Sequence, residues 1–432
     1  MKIGIDLSSI QSAHRFRGIG SVSMNFVNNI TDASKNQHSF VFYKEASDVA
    51  DDPLKLLDLD GLKYEVRDIH ASGHINKRLP GRLNLLISAL NQLIEIRNFR
   101  IGDKRIVGDQ IEDIDAYVQF DPNKPFPRSR KIKKALFVYD VIPFALEWDY
   151  LWSYNTARKR GLSKKAALRV SARRFLYRCK MRSITKCADM LLVDSQCTKD
   201  DIIKYSMSRQ KKMTIIKLGI NQPGGTVKSD KLEADHYVAT SWGYIKRPHR
   251  FEIGVPFILF VGGADRRRKL EDLVTAFNHI RAVGVKLKLV LVGDSMQGPM
   301  NIATEEIQSA LRNSSYLSDI VFMGFINNEQ RDWLYSHAAA FVFPSRYEGF
   351  GLPVLEAMSY GIPVISYNNR ATREVARDYP IYAEGALELR DAIMNCLNKG
   401  STDTARNKRI SFVKQYAWTK TSEQVIKVLE SL

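Results

Sequence analysis

The stretch 344-PSRYEGFGLPVLEAMSYGIPVIS-366 decides how this chain is read. The apolar run before it, "AAFVF", predicts a buried strand that ends at Pro344. Pro353 suits a first helical turn, where its missing N–H costs nothing. Gly361 and Pro363 stop that helix, and "PVIS" is the next strand. The loop "RYEGFG" therefore leaves the carboxyl end of a strand and feeds a helix N-terminus. Backbone amides of Gly349, Phe350, Gly351 and Leu352 are offered there, and the two glycines allow close approach of a ligand. With the helix dipole they suit an anion such as a diphosphate. Glu356, about one turn into the helix, is placed to accept hydrogen bonds from a vicinal diol. Glu348, in the loop, is placed to orient sugar hydroxyls or to counter positive charge at an anomeric carbon. A plainer reading of the residues stands beside this one: Glu356 complements the helix N-terminus, worth about 0.3–1 kcal/mol, and Glu348 is solvated.

Outward from this stretch, short apolar runs alternate with helical patterns, the mark of an α/β chain built on parallel sheets. "KIGIDL", "FVFYK", "AYVQF", "KALFVYDV", "DMLLVDS" and "MTIIKL" read as strands of one half. "FILFVGG", "KLKLVLVGD", "DIVFMGF", "AFVFPS" and "PVISYN" read as strands of the other. "SVSMNFVNNITDA" and "GRLNLLISALNQLIEIRNF" carry helical spacing between strands of the first half. Two doubly wound domains are expected, 1–250 and 251–412, with the seam in the Gly-, Pro- and charge-rich stretch before "FILFVGG". An amphipathic helix over 413–432 is expected to pack back on the first domain. Ligands of such sheets bind outside the strands' carboxyl ends, so both domains are expected to face one central cleft.

The 432 residues hold 65 Lys and Arg against 47 Asp and Glu, a net charge of +18 that favours acidic or phosphorylated partners. Cys179, Cys187, Cys197 and Cys396 are too few and too irregularly spaced for a disulfide framework or a zinc knuckle. "MKIGIDL" reads as a strand rather than a leader, and no run reaches the roughly 18 apolar residues of a membrane span. A soluble, cytoplasmic chain is expected, able to rest on the inner face of a plasma membrane.

"EGFGLPVLE" resembles the E-x7-E signature of the retaining family 4 glycosyltransferases, which have the GT-B fold of two Rossmann-like domains. The continuation "AMSYGIPVISYNNRATREVA", with Glu374, extends the resemblance over most of 251–420 and less tightly over the first half. The resemblance implies transfer of a sugar from a nucleotide diphosphate donor with retention of configuration. It places Glu348 on the donor sugar and Glu356 on the ribose, and the amides of Gly349 to Leu352 on the sugar and distal phosphate. No cofactor or metal is implied beyond the nucleotide-sugar co-substrate.

Other segments fit the same resemblance. "FVGGADRRRKLEDLVTAF" is similar to the family's phosphate-binding turn, with Arg267 and Arg268 in the places of its arginine and lysine. Lys269 stands where asparagine or glycine is commoner, which leaves the choice between Arg268 and Lys269 open. Cations there would stabilise the leaving diphosphate in place of a metal. "VFMGFIN" resembles the segment where backbone beside Gly324 and Phe325 holds the base, and Gly293 and Asp294 also end a strand. In the first half, "RFRGIGSVSMNFV" sets Gly18, Ile19 and Gly20 in a loop between strand and helix, beside Arg15 and Arg17. "LFVYDVIPF" resembles the family's "HDLIP" segment with Tyr139 in place of histidine, and Asp140 is the candidate for acceptor contact or orientation. In "LLVDSQCTKDDI", Ser195 or Thr198 is expected to cap a helix.

Between Asp149 and Asp189 there is no acidic residue, and twelve Lys and Arg run from Arg158 to Lys186. With Leu162, Leu168, Val170, Phe175, Leu176, Tyr177 and Met181 interleaved, this predicts a basic amphipathic helix. A solvated face is one reading. The other is an anionic lipid surface that presents a lipid-diphosphate-linked acceptor. A basic nucleic-acid-binding protein is the rival class, but no nucleic-acid module is recognisable and none is expected as partner. A GT-B enzyme of epimerase or phosphorylase type is a nearer rival, although no pyridoxal-phosphate lysine site is evident. The D-x-D matches "DLD" (58–60) and "DID" (113–115) are not taken as metal sites. Among relatives, the combination of "YDVIP" and "EGFGLPVLE" looks most like mannosyl- or rhamnosyltransferases of surface-polysaccharide assembly.

Overall fold

A computed structural model describes residues 1–12, 15, 18–45, 52–69, 95–101, 111–205, 212–224, 231–240, 243–252, 255–298 and 304–432. The chain divides into two compact units: Met1–Gly219 with Tyr416–Leu432, and Ile220–Gln415.

Among the described residues the first unit carries seven strands: β1 (Lys2–Asp6), β2 (Ser39–Glu45), β3 (Tyr64–Ile69), β4 (Ala116–Gln119), β5 (Lys133–Val138), β6 (Met190–Val193) and β7 (Met213–Ile215). They pair in the order β3-β2-β1-β4-β5-β6-β7, parallel throughout. Strand order reverses between β1 and β4, the doubly wound pattern. The central strands are apolar on both faces because helices cover both, and Ile3, Ile5, Val118, Leu136, Phe137 and Leu192 are wholly buried. β3 was not legible in the sequence: its "YEVRDI" is polar and largely exposed, as an edge strand allows.

Most of the helical pattern over 81–99 lies outside the described residues. The pattern after β1 folds as helix Gly18–Asn28, and Gly18, Ile19 and Gly20 are its first residues rather than a loop before it. Gly20 is buried there, so close packing outweighs its weak helix propensity. Helix Trp418–Glu430 packs on this unit. The Ser422 hydroxyl donates to Phe26 O at 2.8 Å and the Thr421 hydroxyl to Lys217 O at 2.8 Å.

Among the described residues the second unit has eight strands: β8 (Lys231–Thr240), β9 (Gly243–Glu252), β10 (Phe257–Val261), β11 (Lys288–Val292), β12 (Ile320–Gly324), β13 (Ala340–Phe343), β14 (Val364–Tyr367) and β15 (Ile381–Ala383). Their order is β15-β14-β13-β10-β11-β12-β8-β9. From β10 onward this is the same doubly wound order, with the switch between β10 and β13. β8 and β9 form an antiparallel hairpin, and β8 pairs antiparallel with β12. A seam near residue 250, drawn from composition, and the division at Gly219 and Ile220 differ by about the length of this hairpin. The hairpin reads as a linker because β9 carries Pro248, which only an edge strand tolerates.

Candidate active site

The carboxyl ends of β10 and β13 are neighbours at the switch point of the second sheet, and each continues into a loop that carries charge. After β10 the chain turns through Arg266–Arg268 into helix Leu270–Ala282. After β13 it runs through Ser345 to Gly351 into helix Leu352–Ser359. The two loops are stitched by backbone, with Arg346 N donating to Arg267 O at 2.8 Å.

Arg267 and Glu348 form a buried ion pair at this seam, 8% and 9% exposed. Arg267 also donates to Tyr347 O at 2.9 Å and lies 3.4 Å from the Ser345 hydroxyl. Ser345 donates to Glu348 Oε1 at 2.9 Å. Arg268 brings its Nε to 3.4 Å of the same carboxylate oxygen, donates to Gly263 O at 3.2 Å, and lies over the Phe343 ring. Two guanidiniums meet the buried Glu348 carboxylate, and the half-exposed Asp265 carboxylate lies 3.9 Å from Arg267 at the edge of the site. Guanidiniums are paired N–H donors of the kind that match a phosphate.

Lys269 points elsewhere: its ammonium pairs with Glu271 at 2.8 Å. Its backbone is left-handed, with φ of 43°. That conformation explains why asparagine or glycine suits the position better than lysine, since only small or locally hydrogen-bonding residues adopt it without strain. Of the two residues left open by the sequence, the structure brings Arg268 to Glu348 and holds Lys269 on Glu271.

Gly351 caps helix Leu352–Ser359 with φ of 102°, a conformation a side chain would strain. Phe350 is buried beneath the turn. At the start of the helix Pro353 has no N–H to leave open, and Val354 N donates to Gly351 O at 3.0 Å. Asn369, at the start of helix Arg370–Ala376, donates from its side chain to Ser345 O at 2.8 Å and caps its own helix through Thr372 N at 2.9 Å. Ser345 and Asn369 thus fix the loop that carries Glu348. Neither stood out in the sequence, because a lone serine and a lone asparagine are common at helix entries.

Glu356 is half-buried on the same helix, and its carboxylate has no hydrogen-bond partner among the described residues. Removal from water pushes its carboxyl up to about 7, against the pull of Arg331 and with a further push from Asp332. Arg331 itself is held by Asp332 at 3.0 Å. Glu356 is therefore a half-buried carboxyl with its proton held more tightly than usual.

Gly324 ends β12 with φ of 63°, and its N–H donates to Met296 O at 2.9 Å. Phe325 beyond it is exposed. Gly293 also turns at φ of 150°, and a Cβ there would lie 2.1 Å from Gly262 O, so a packing role accounts for this glycine.

In the first unit, Asp140 lies past β5 and accepts from Ile142 N at 3.0 Å, which starts the short helix Ile142–Ala145. The Tyr139 hydroxyl is buried without a hydrogen-bond partner among the described residues, and burial raises it well above its ordinary range. Asp6, at the end of β1, is buried and bonded by Ser8 N and Ser8 Oγ, each at 2.9 Å. Burial pushes its carboxyl up to about 6 despite those bonds. Ser195, rather than Thr198, caps helix Gln196–Lys204, accepting from Thr198 N at 3.0 Å. The "DID" carboxylates are structural: Asp113 pairs with Lys2 and with Arg67, and Asp115 accepts from Lys2 N at 2.7 Å. Among the described residues no cluster of metal-ligating side chains occurs, and no helix is long and apolar enough to cross a membrane.

The model of the family described as glycosyl transferases group 1 matches residues 245–410, which contain both loops of this site. Over 179 residues the chain is 26% identical to the O-antigen chain mannosyltransferase B of Escherichia coli, covering 41% of this chain and 46% of that protein. Over 187 residues it is 24% identical to the capsular polysaccharide biosynthesis glycosyltransferase CapM of Staphylococcus aureus, covering 42% and 44%. The chain thus spans less than half the length of these curated relatives. A crystal structure of a glycosyltransferase from Rickettsia africae superposes with a TM-score of 0.58 over 100% of this chain and 98% of that one, at 14% identity. The fold, two Rossmann-like sheets in doubly wound order, is that of the GT-B glycosyltransferases.

Proposed function

We propose, from the match of residues 245–410 to the glycosyl transferases group 1 model, that this chain is a retaining, metal-independent glycosyltransferase that moves a hexose from a nucleotide diphosphate sugar to a glycan or lipid-linked acceptor. The observation that carries the reading is the junction of Arg267, Arg268 and Glu348 on the loops after β10 and β13. The guanidiniums and the amides of Gly349 to Leu352 receive the diphosphate and stabilise its charge as it leaves. Glu348 holds the sugar, Glu356 accepts from the ribose diol, and backbone beside Gly324 and Phe325 receives the base. Mannose or rhamnose is the favoured sugar, because the curated relatives described above include a protein named as a mannosyltransferase of an O-antigen chain. The first unit, with Asp140 and the residues from Gly18 to Gly20, receives the acceptor. Retention fits a same-face transfer, in which the leaving phosphate oxygen takes the acceptor proton, and equally a double displacement.

An anionic membrane surface is the second proposed partner. Helix Lys164–Cys187 exposes Leu168 (66%) and Phe175 (65%) with Ala172 between them, seven residues that bring all three to one face. Lys165, Arg169 and Arg173 flank that stripe in the open. Apolar side chains rimmed by cations suit a bilayer of anionic lipid.

Thermal shift and titration with GDP, UDP and dTDP and their sugars, on wild type and Glu356→Ala, test the transferase reading. Stabilisation by one nucleotide, weakened in the variant, supports it. No response to any nucleotide, together with salt-sensitive binding to RNA or DNA, returns the nucleic-acid reading.

A further inference from the structure

Helix Lys164–Cys187 does more than present a basic face. Along its side runs an open surface pocket of about 370 Å³ lined by Glu147, Ser153, Ser171, Arg174, Phe175 and Arg178. That volume falls within the roughly 300–1,000 Å³ of small-molecule sites. Arg174 pairs with Glu147, whose Oε1 also accepts from Ser153 N at 3.0 Å and from the Thr156 hydroxyl at 3.2 Å. Glu147 is therefore committed: it anchors the start of helix Tyr154–Lys159 and cancels the Arg174 charge. Among the described residues Arg178 has no such counter-charge. One of its donors reaches Tyr205 O at 3.3 Å, and its Nε has no acceptor among the described residues. The pocket is thus left with a net positive charge and spare donors, in a segment from residue 150 to residue 188 that holds no acidic side chain. Its rim is Phe175, the same exposed ring that forms the apolar stripe with Leu168.

We propose that this pocket is a phosphate site for a lipid-borne acceptor, with Arg178 as its principal cation, Arg174 and Ser171 beside it, and Phe175 at the mouth against the lipid. A guanidinium matches a phosphate by paired N–H donors, and an apolar rim beside it fits a phosphate that is joined to a hydrocarbon chain. The ring of Tyr177, on the same helix, stacks on Phe144 at 5.4 Å, so the helix is packed directly on the segment that begins at Asp140. This inference rests on the transferase reading, whose acceptor it specifies.

The test is co-sedimentation with neutral phosphatidylcholine vesicles that do or do not carry a polyprenyl diphosphate. Arg178→Gln removes the cation, and Ser171→Leu fills the pocket while keeping every charge. Lys133→Gln, on the exposed start of β5, is the control for net charge. Both pocket variants are expected to lose affinity for the diphosphate-bearing vesicles by about tenfold or more, with Lys133→Gln within about twofold of wild type. Retained binding in Ser171→Leu and Arg178→Gln overturns the site, and an equal loss in Lys133→Gln reduces it to general charge. Inorganic diphosphate bound as tightly from solution as the vesicle ligand overturns the lipid source. Melting shifts with nucleotide sugars, measured on the same variants, separate the two readings: a failed pocket leaves those shifts intact, whereas a failed transferase reading removes them from wild type as well.

Discussion

Arg267 and Glu348 meet as a buried ion pair across the switch point of the second sheet, one on the loop after β10 and the other on the loop after β13. Arg268 shares the same carboxylate oxygen. In the free protein the carboxylate therefore offsets the charge that a donor diphosphate would meet. Glu348→Gln should separate the two jobs of this residue. The amide keeps the shape but frees the guanidiniums, so nucleotide diphosphate is expected to bind at least as tightly as in wild type. Sugar transfer should fall by about a hundredfold or more, since the group proposed to face the sugar has lost its charge. Titration with the free nucleotide and transfer assays on one preparation check this. Weaker nucleotide binding with normal transfer would contradict it. Glu348→Ala, which leaves the cations uncompensated, should also cost about 3–5 kcal/mol of stability in denaturant unfolding.

Glu356 makes a pH prediction whose sign follows from its carboxyl being raised from an ordinary value near 4.5 to about 7. A raised carboxyl holds its proton more tightly folded than unfolded. Its contribution to stability is thus intact below about 4.5 and is lost as pH rises toward 7. A ribose diol bonded to the ionised form reverses that preference, so nucleotide-sugar affinity should increase as pH rises through about 7. Glu356→Gln should flatten the rise. A nucleotide sugar, rather than a free nucleotide diphosphate, is the correct probe because its diphosphate has no proton to lose in this range. An unchanged slope in the variant would assign the pH dependence to another group.

Lys269 sits in a left-handed conformation at the entry of helix Leu270–Ala282 and spends its charge on Glu271. Lys269→Asn should therefore stabilise the protein by about 1 kcal/mol from relieved backbone strain, less a few tenths for the partly exposed ion pair. Donor affinity should stay near wild type, whereas Arg268→Gln should weaken it by about tenfold or more. Thermal unfolding and nucleotide titration of the two variants decide between these cations. A loss of affinity in Lys269→Asn equal to that in Arg268→Gln would return Lys269 to the phosphate site.

The loop from Arg346 to Gly351 was legible because strand, Pro344, paired glycines and Pro353 punctuate it locally. Arg267 and Arg268 entered through the family resemblance, but their pairing with Glu348 did not. Glu348 finds Arg267 only because β10 and β13 become neighbours, and no local pattern announces that pairing. Ser345 and Asn369 act through hydrogen bonds that any serine or asparagine can make. The β8–β9 hairpin escaped for a related reason: its residues gain a strand only by pairing with β12 and with each other. Gly18 and Gly20 read as loop residues by propensity, yet tertiary packing recruits them into a helix. Local chemistry was readable where the chain bonds to itself nearby, and hidden where sheet order brings distant segments together.

The return of the chain to the first unit supplies a steric prediction. Gly219 lies against the start of helix Trp418–Glu430, and a Cβ on it would fall 2.4 Å from Trp418 N and 2.6 Å from Trp418 Cα. Both atoms are backbone, so no rotamer change relieves the overlap and the helix must shift. Its hold on the unit includes Thr421 on Lys217 O, two residues from the same glycine, and Ser422 on Phe26 O. Gly219→Ala is expected to destabilise the protein by about 1–3 kcal/mol, as overpacking does. Because Trp418 is buried, its displacement should also change the tryptophan emission. The nucleotide binding proposed for the second unit should survive, since neither residue belongs to it. A melting temperature equal to that of wild type would show that the helix has room to move at this contact.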